Sequence, residues 1–544
     1  MTFPHDLFLA RQLTREPSPS SAAASSDDPV DQLKSTLSWR VTAPLRGGKA
    51  LASELRRRSG SRVDALRSRL LAVAPALIGP EVDPSTKTRD LLRALIDSAI
   101  DDEDRIWLLF AGAVGAYPDA DEFIALRRHL RRLSPAQRPK AFLAHTVEVL
   151  SRTHTHYREV DLRVGETVVD VDFCATVGFT SGVQRVVRET VGRWHERHSV
   201  TLLAWDGGGS AMRVLAPNEE ARVSGAYRLR ERDFDMRHAE SVMRTVIPWR
   251  CNVVLPEVAR ERYSRSLISL ARFSGNRVRA IGYDMIPAVD GFFVDPAQSQ
   301  SFARYLTLVK HVDEVVAISE AVAEEFRGFV DALTAQGVTG PTVSVVPLSE
   351  EVSFDDVDAP KPIEVPLVLA VGSHEIRKNQ IAVADAAERL WRDGLRFSLL
   401  FAGGPGPEWY TDLDDRVTEL VLDGRSVAVV QSISDEEMRR AYRTAHVQVF
   451  VSLHEGFGLP VVEALAAGTP VITSRRGSMG EMARAGGCIA VDPEDVGEIA
   501  EALRRVLTDD AEYGRLVAEI GERPSRTWDD YADAVWARMT EVSR

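Results

Sequence analysis

From Gly165 onward the chain alternates short β-rich runs with helical segments of about ten to fifteen residues, and few folds accommodate that rhythm. The first runs are ETVVDVDF, VTLLAW, RVRAIGYD, EVVAIS and TVSVVP; VPLVLAVG, FSLLFAGG, SVAVVQ, VQVFVS, TPVITS and GCIAVD follow. Intervening helices are the usual crossovers between parallel strands, and sheets built that way are covered on both faces. The pattern predicts an α/β chain with two doubly wound parallel-sheet domains, residues 165–348 and 365–525. The acidic, Pro-containing stretch 349–364 reads as a hinge between them.

Ahead of that alternation, residues 30–160 show apolar positions at three-and-four spacing, as in RVDALRSRLLAVAPALI, TRDLLRALIDSAI and DADEFIALRRHLRRL. Hardly any strand signal occurs there, so an all-helical accessory domain is expected. Residues 1–29 include a Ser-, Pro- and Ala-rich stretch without periodicity and are expected to be disordered.

The net charge of −13 excludes nucleic-acid binding by bulk electrostatics. Cys174, Cys251 and Cys488 are far apart and lack the spacing of a disulfide framework or a zinc site. No apolar run reaches the roughly 18 residues of a membrane span, and no signal-peptide core is visible, so a cytoplasmic protein is expected.

The most specific segment is HEGFGLPVVEALAAGTPVITS, starting at His454. It carries two carboxylates, Glu455 and Glu463, across a Gly-rich turn entering a helix. Gly456 and Gly458 permit close approach of a ligand, and Pro460 pre-sets the first turn. Unpaired N–H groups near Phe457 and Leu459 suit a phosphate, and the carboxylates suit sugar hydroxyls. In AVGSHEIRKNQ, Gly372 ends a buried strand, while Arg377 and Lys378 open the next helix. Two adjacent cations there can neutralise a diphosphate, although an Arg-Lys pair is commonly a solvated turn. Asp284, in IGYDMIP, follows a strand at its carboxyl end and either takes the proton of an acceptor hydroxyl or caps a turn before Pro287. Gly178 and Gly182 flank another strand-to-helix turn, an acceptor-side loop or a plain turn. Asp170-Val-Asp172 imitates a metal-binding pair but reads as the start of the first domain.

Taken in order, AVGSHEIRKNQ, FAGGPG, the long run from Ser434 to Ser474, GSMGEM with GGCIAVDPED, and SRTWDDYADAVW resemble the C-terminal half of a glycosyltransferase family 4 enzyme. FTSGVQRVVRE, IGYDMIP and DEVVAISEAVAEEF resemble its first half. The resemblance implies a GT-B fold, two Rossmann-like domains facing a cleft, with residues 526–544 crossing back to the first. It implies transfer with retention from a nucleotide diphosphate sugar to a glycan or lipid-linked acceptor, with no metal or other cofactor. Mannose from GDP-mannose and a deoxyhexose such as rhamnose are the leading donor sugars. By the same resemblance Glu463 holds the ribose, Glu455 faces the donor sugar, and backbone around Ser432 reads the base. Tyr283 stands where such enzymes often carry a His, leaving the sugar contacts of that loop open. His454 either packs or touches substrate.

STLSWRVTAPLRGG (35–48) resembles a segment found beside bacterial surface-polysaccharide glycosyltransferases. Residues 46–69 hold eight basic and two acidic side chains around helix-spaced Leu51, Leu55, Val63 and Leu66. Such a helix suits peripheral contact with the inner face of an anionic membrane, or packs on its own domain. Two other classes remain: a dinucleotide oxidoreductase, for which no Gly-x-Gly-x-x-Gly follows the first strand, and a silent sugar-nucleotide-binding scaffold acting through its helices.

Overall fold

The computed structural model describes residues 62–541 except 156, 178–180, 225–243, 355–363, 408–409, 432 and 525. The described residues form two compact units, one of 62–280, 304–314 and 539–541, the other of 281–303 and 315–538.

The first unit begins with five helices: α1 (Arg62–Ile78), α2 (Thr88–Ala99), α3 (Glu103–Val114), α4 (Ala120–Arg132) and α5 (Arg138–Thr153). Helix α3 is central because every residue from Ile106 to Val114 is buried, leaving no polar face for solvent. Gly112 lets α1 approach it; a Cβ there would lie 2.7 Å from Val73 Cγ1. Asp119 and Glu122 form a capping box that starts α4. Strands β1 (Glu159–Val164) to β7 (Arg277–Gly282) follow: β2 is Thr167–Asp170, β3 Thr201–Trp205, β4 Met212–Val214, β5 Arg244–Trp249 and β6 Asn252–Leu255. Helices α6 (Asp172–Thr176), α7 (Gly182–Arg197), α8 (Pro217–Val223) and α9 (Ser264–Phe273) are interspersed.

These strands run in the order β1-β5-β4-β3-β2-β6-β7. Pairing is parallel except along β4, a three-residue strand folded back antiparallel on β3 by a turn at 207–210. The helices share a core with this sheet. Trp107 Nε1 donates to Ser269 Oγ (2.9 Å), Tyr117 OH to the Val246 carbonyl (2.6 Å), and Thr245 Oγ1 to the Gly115 carbonyl (2.7 Å).

The second unit takes in α10 (Ile286–Val289), the start of α11 (Pro296–Val309), most of β8 (Glu314–Ala317), α12 (Glu320–Thr334) and β9 (Thr342–Val345). Its second sheet holds β10 (Leu367–Val371), β11 (Ser398–Ala402), β12 (Val427–Val430), β13 (Val447–Phe450), β14 (Val471–Ser474) and β15 (Cys488–Val491). The connecting and flanking helices are α13 (Gln380–Arg392), α14 (Asp412–Leu422), α15 (Asp435–Thr444), α16 (Leu459–Ala466), α17 (Gly477–Ala483), α18 (Val496–Thr508), α19 (Asp510–Glu522) and α20 (Trp528–Thr540). Every strand pair in this sheet is parallel. Its residues alternate between two buried clusters, Val368 and Ala370 on one face and Leu369 and Val371 on the other, so helices cover both sides.

The chain is therefore α/β, with two largely parallel sheets that follow an N-terminal helical region in sequence. The helix expected over 46–69 falls mostly outside the described residues. At its described end the Arg69 guanidinium is buried against the Ala113 carbonyl (Nε 3.1 Å, Nη2 2.9 Å), and burial lowers its pKa to about 10. That end packs within its own bundle.

Candidate functional site

The second sheet has the order β12-β11-β10-β13-β14-β15. Its first strand in the chain, β10, is central, and the connections run to one side through β11 and β12 before returning to β13. The direction reverses between β10 and β13, and open α/β sheets take their ligands outside the carboxyl ends of strands at such a point. Gly372 to Lys378 leave β10 there, and Ser452 to Gly458 leave β13. The loops are joined where Leu453 N donates to the Arg377 carbonyl (2.9 Å). Gly372 has φ 139° and lies against the Lys378 stem, while a Cβ on Gly403 would fall 2.0 Å from the Gly372 oxygen. At this corner close backbone approach excludes a side chain at Gly403, and Gly372 occupies a φ that side chains rarely adopt.

Glu455 is the centre of the cluster. Its carboxylate meets Lys378 Nζ at 2.6 Å, Arg377 Nη1 at 2.7 Å and Ser452 Oγ at 2.7 Å. Arg377 also reaches the His454 carbonyl (3.1 Å) and Glu375 (3.1 Å). The three central side chains are only 12–16% exposed. Burial works against ionisation of Glu455, but Lys378 and Arg377 outweigh it and bring its pKa down to about 2. A carboxylate fixed in this way holds both cations at the mouth of the crevice.

Helix α16 starts beside it. Gly458, at φ 111°, is its N-cap, and a Cβ there would overlap Met479. Pro460 has no N–H, and the Val461 N–H turns back to the Gly458 carbonyl (2.9 Å). Leu459 opens the helix and Phe457 packs partly buried behind it. One turn on, Glu463 accepts from Tyr442 OH (2.7 Å).

Asp284 joins the cluster through the backbone. Gly456 lies so close to the 283–284 peptide that a Cβ on it would sit 2.1 Å from the Tyr283 oxygen and 3.2 Å from Asp284 Cβ. Asp284 accepts from Ile286 N (3.1 Å), and burial raises its pKa against the pull of that bond and of Arg377.

The structure thus brings Arg377, Lys378, Glu455, Gly372, Gly456 and Asp284 together, with Phe457, Gly458 and Leu459 adjoining them. Gly182 opens α7 in the other compact unit, behind a capping box of Ser181 and Gln184. Gly178 and Ser432 lie outside the described residues. Asp170 and Asp172 serve packing: Asp170 accepts from Trp205 Nε1 (2.8 Å) and Asp172 pairs with Arg262 (2.6 Å). Among the described residues no group of three or more His, Cys, Asp or Glu side chains is arranged to hold a metal ion.

Sequence reasoning missed Ser452, Tyr442 and the pair Asp290 and Glu325, which grips both nitrogens of His454. Ser452 stands three residues from Glu455 and could have been found by spacing. The carboxylates are 164 and 129 residues from His454, so no local signal marks them.

Residues 353–523, which contain this cluster apart from Asp284, match the family model described as glycosyl transferases group 1. That stretch is similar to glycosyltransferases of this group. It is 33% identical over 147 residues to O-antigen chain mannosyltransferase B of Escherichia coli, covering 26% of this chain and 37% of that protein. It is 43% identical over 86 residues to MMP alpha-(1->4)-mannosyltransferase of Mycolicibacterium hassiacum, covering 15% of this chain and 21% of that one. The chain thus spans well under half the length of these relatives. Among solved structures, sucrose-phosphate synthase from Thermosynechococcus elongatus aligns with 69% of this chain and 98% of its own, at 18% identity and a TM-score of 0.48.

Proposed function

We propose that this protein is a retaining GT-B glycosyltransferase of family 4. It moves a hexose, mannose or a deoxyhexose such as rhamnose, from a nucleotide diphosphate sugar to a glycan or lipid-linked acceptor in cell-surface polysaccharide synthesis. The observation that carries the reading is the convergence of Arg377 and Lys378 on Glu455 at the strand-order reversal. Similarity to mannosyltransferases over part of the chain supports the choice of mannose.

In this reading the donor diphosphate lies against Arg377, Lys378 and the N–H groups from Gly456 to Leu459, with Gly372 leaving room for it. The bond from the anomeric carbon to the phosphate oxygen breaks, and its electron pair leaves with the nucleoside diphosphate. The two cations stabilise that charge. The acceptor hydroxyl attacks from the same face, and its proton passes to Asp284 or to the departing phosphate. A carboxylate whose pKa burial has raised is the better base. Glu455 stays ionised and holds sugar hydroxyls, Glu463 shares the ribose with Tyr442, and backbone near Ser432 reads the base. Residues 165–348, with the Gly178–Gly182 loop, form the acceptor domain, 365–525 the donor domain, and 526–544 the return helix. The enzyme works in the cytoplasm, with the basic stretch of 46–69 ahead of its packed end as a peripheral membrane contact.

A panel of nucleoside diphosphates and their sugars tests this by thermal stabilisation and donor hydrolysis. Stabilisation by at least one nucleotide, with slow release of its sugar, is expected. No response to any nucleoside diphosphate overturns the reading. Mass spectrometry of the products then identifies the sugar.

A further inference from the structure

His454 precedes the central carboxylate, yet its ring nitrogens contact carboxylates outside the Lys378, Arg377 and Glu455 cluster. Nδ1 meets an Asp290 carboxylate oxygen and Nε2 meets Glu325 Oε1 at 2.6 Å. A neutral imidazole has one N–H and cannot donate to both, so two carboxylates on opposite nitrogens select the doubly protonated ring. The second oxygen of Glu325 accepts from Met285 N (2.9 Å), the residue after Asp284. Asp290 closes the far end of the same 284–290 loop as the C-cap of α10. His454 therefore holds both ends of the loop that carries Asp284, while its own carbonyl is held by Arg377.

We propose that protonated His454 is a positioning residue, a strap that sets the Asp284 loop against the Glu455 loop for transfer; the proposal rests on the transferase reading of this site. Two other ties link the start of α12, the helix that carries Glu325, to the Glu455 loop and to α17. Ser319 Oγ donates to the Gly456 carbonyl (2.8 Å), and the Glu481 carboxylate accepts from Glu320 N at 3.1 Å and from Ala321 N. The imidazolium differs from both in that it carries a proton it can lose. The charged groups around it are Asp290 from the α10 loop, Glu325 from α12, Arg377 from the β10 loop, Asp284 beside Glu325, and Glu455 next in the chain. Burial alone would deprotonate the ring, but Glu325 and Asp290 raise its pKa to about 9. The strap is closed at neutral pH and opens through about pH 9.

The test uses the full chain and three variants, His454→Asn, Asp290→Asn and Glu325→Gln. Hydrogen exchange of peptides spanning 283–292 is measured from pH 7 to 10 after correction for intrinsic rates. In the wild type, protection should fall about tenfold around pH 9; in His454→Asn it should be low throughout and independent of pH. An imidazole NMR titration should place wild-type His454 near 9, and Asp290→Asn or Glu325→Gln should each move it down by a unit or more. Donor turnover should fall at least tenfold in His454→Asn, with the donor KM within threefold. A nucleotide that stabilises the wild type while 283–292 exchanges equally in wild type and His454→Asn overturns the strap alone. So does a ring that titrates near 6.5. Absence of nucleotide stabilisation overturns the transferase reading, and the exchange and NMR results still decide the strap.

Discussion

At the scale of single residues, Glu455 and its two cations set the expectations. Lys378→Ala removes one of the two charges facing the proposed leaving group. Losing one preorganised donor of this kind typically costs about 10²–10³ in turnover. Steady-state kinetics should show that loss in kcat with the unfolding midpoint close to that of the wild type; unchanged turnover would remove Lys378 from the chemistry. Glu455 also has a signature in stability. Its pKa is depressed from 4.5 to about 2, so its contribution is present above pH 4.5 and is lost as pH falls through about 2. The shift corresponds to roughly 3 kcal/mol. Urea denaturation of the wild type should weaken across that window, and Glu455→Gln, already destabilised at pH 7 by two uncompensated cations, should show a flatter profile. Equal slopes would mean that the pair with Lys378 and Arg377 is absent in solution.

Elements come next, and here the loops matter more than the helices they start. Gly456 is required by its neighbour, since an added Cβ would strike the Tyr283 carbonyl, which is backbone and cannot rotate aside. Gly456→Ala should therefore separate the Asp284 loop from the Glu455 loop, costing about 1–3 kcal/mol and most of the turnover. Gly468→Ala is a useful contrast: its φ is 83°, in the left-handed region that Gly456 does not occupy, and open space surrounds its Cβ, so its effect should be confined to backbone strain. If the two variants lose activity equally, close approach is not what Gly456 provides.

The legibility of the chain divides along the same line. All eleven apolar runs from ETVVDVDF to GCIAVD contain strands, most of them buried along their length, and a strand covered on both faces must be apolar. β1, β4, β5 and β6 lie outside those runs, and the reason is visible for three of them. β1 is only partly buried, β4 has three residues, and Pro248 inside β5 argues against a strand there. The donor-side cluster was legible because Arg377, Lys378 and Glu455 follow strand ends within recognisable local motifs. Asp290 and Glu325 were not, since their meeting with His454 depends on how three separate segments pack.

For the molecule as a whole, the front end raises the larger question. Sequence periodicity predicts an accessory helical domain, and α1–α5 share buried contacts with β5 and α9 inside one compact unit. Trp107→Ala, which empties a fully buried site and leaves Ser269 without its donor, should cost about 3–5 kcal/mol. Hydrogen exchange should then rise together in α3 and in strands β5 to β7. Exchange confined to the helices would show that the bundle unfolds by itself.

That shared core also bears on how the protein is made. Trp107 leaves the ribosome 162 residues before Ser269, its hydrogen-bond partner. At about 5–20 residues per second, the apolar surround of α3 waits roughly 8–30 s for the strands and helix that cover it. During synthesis this is the stretch most in need of a chaperone, and a slow codon run before residue 270 would lengthen its exposure.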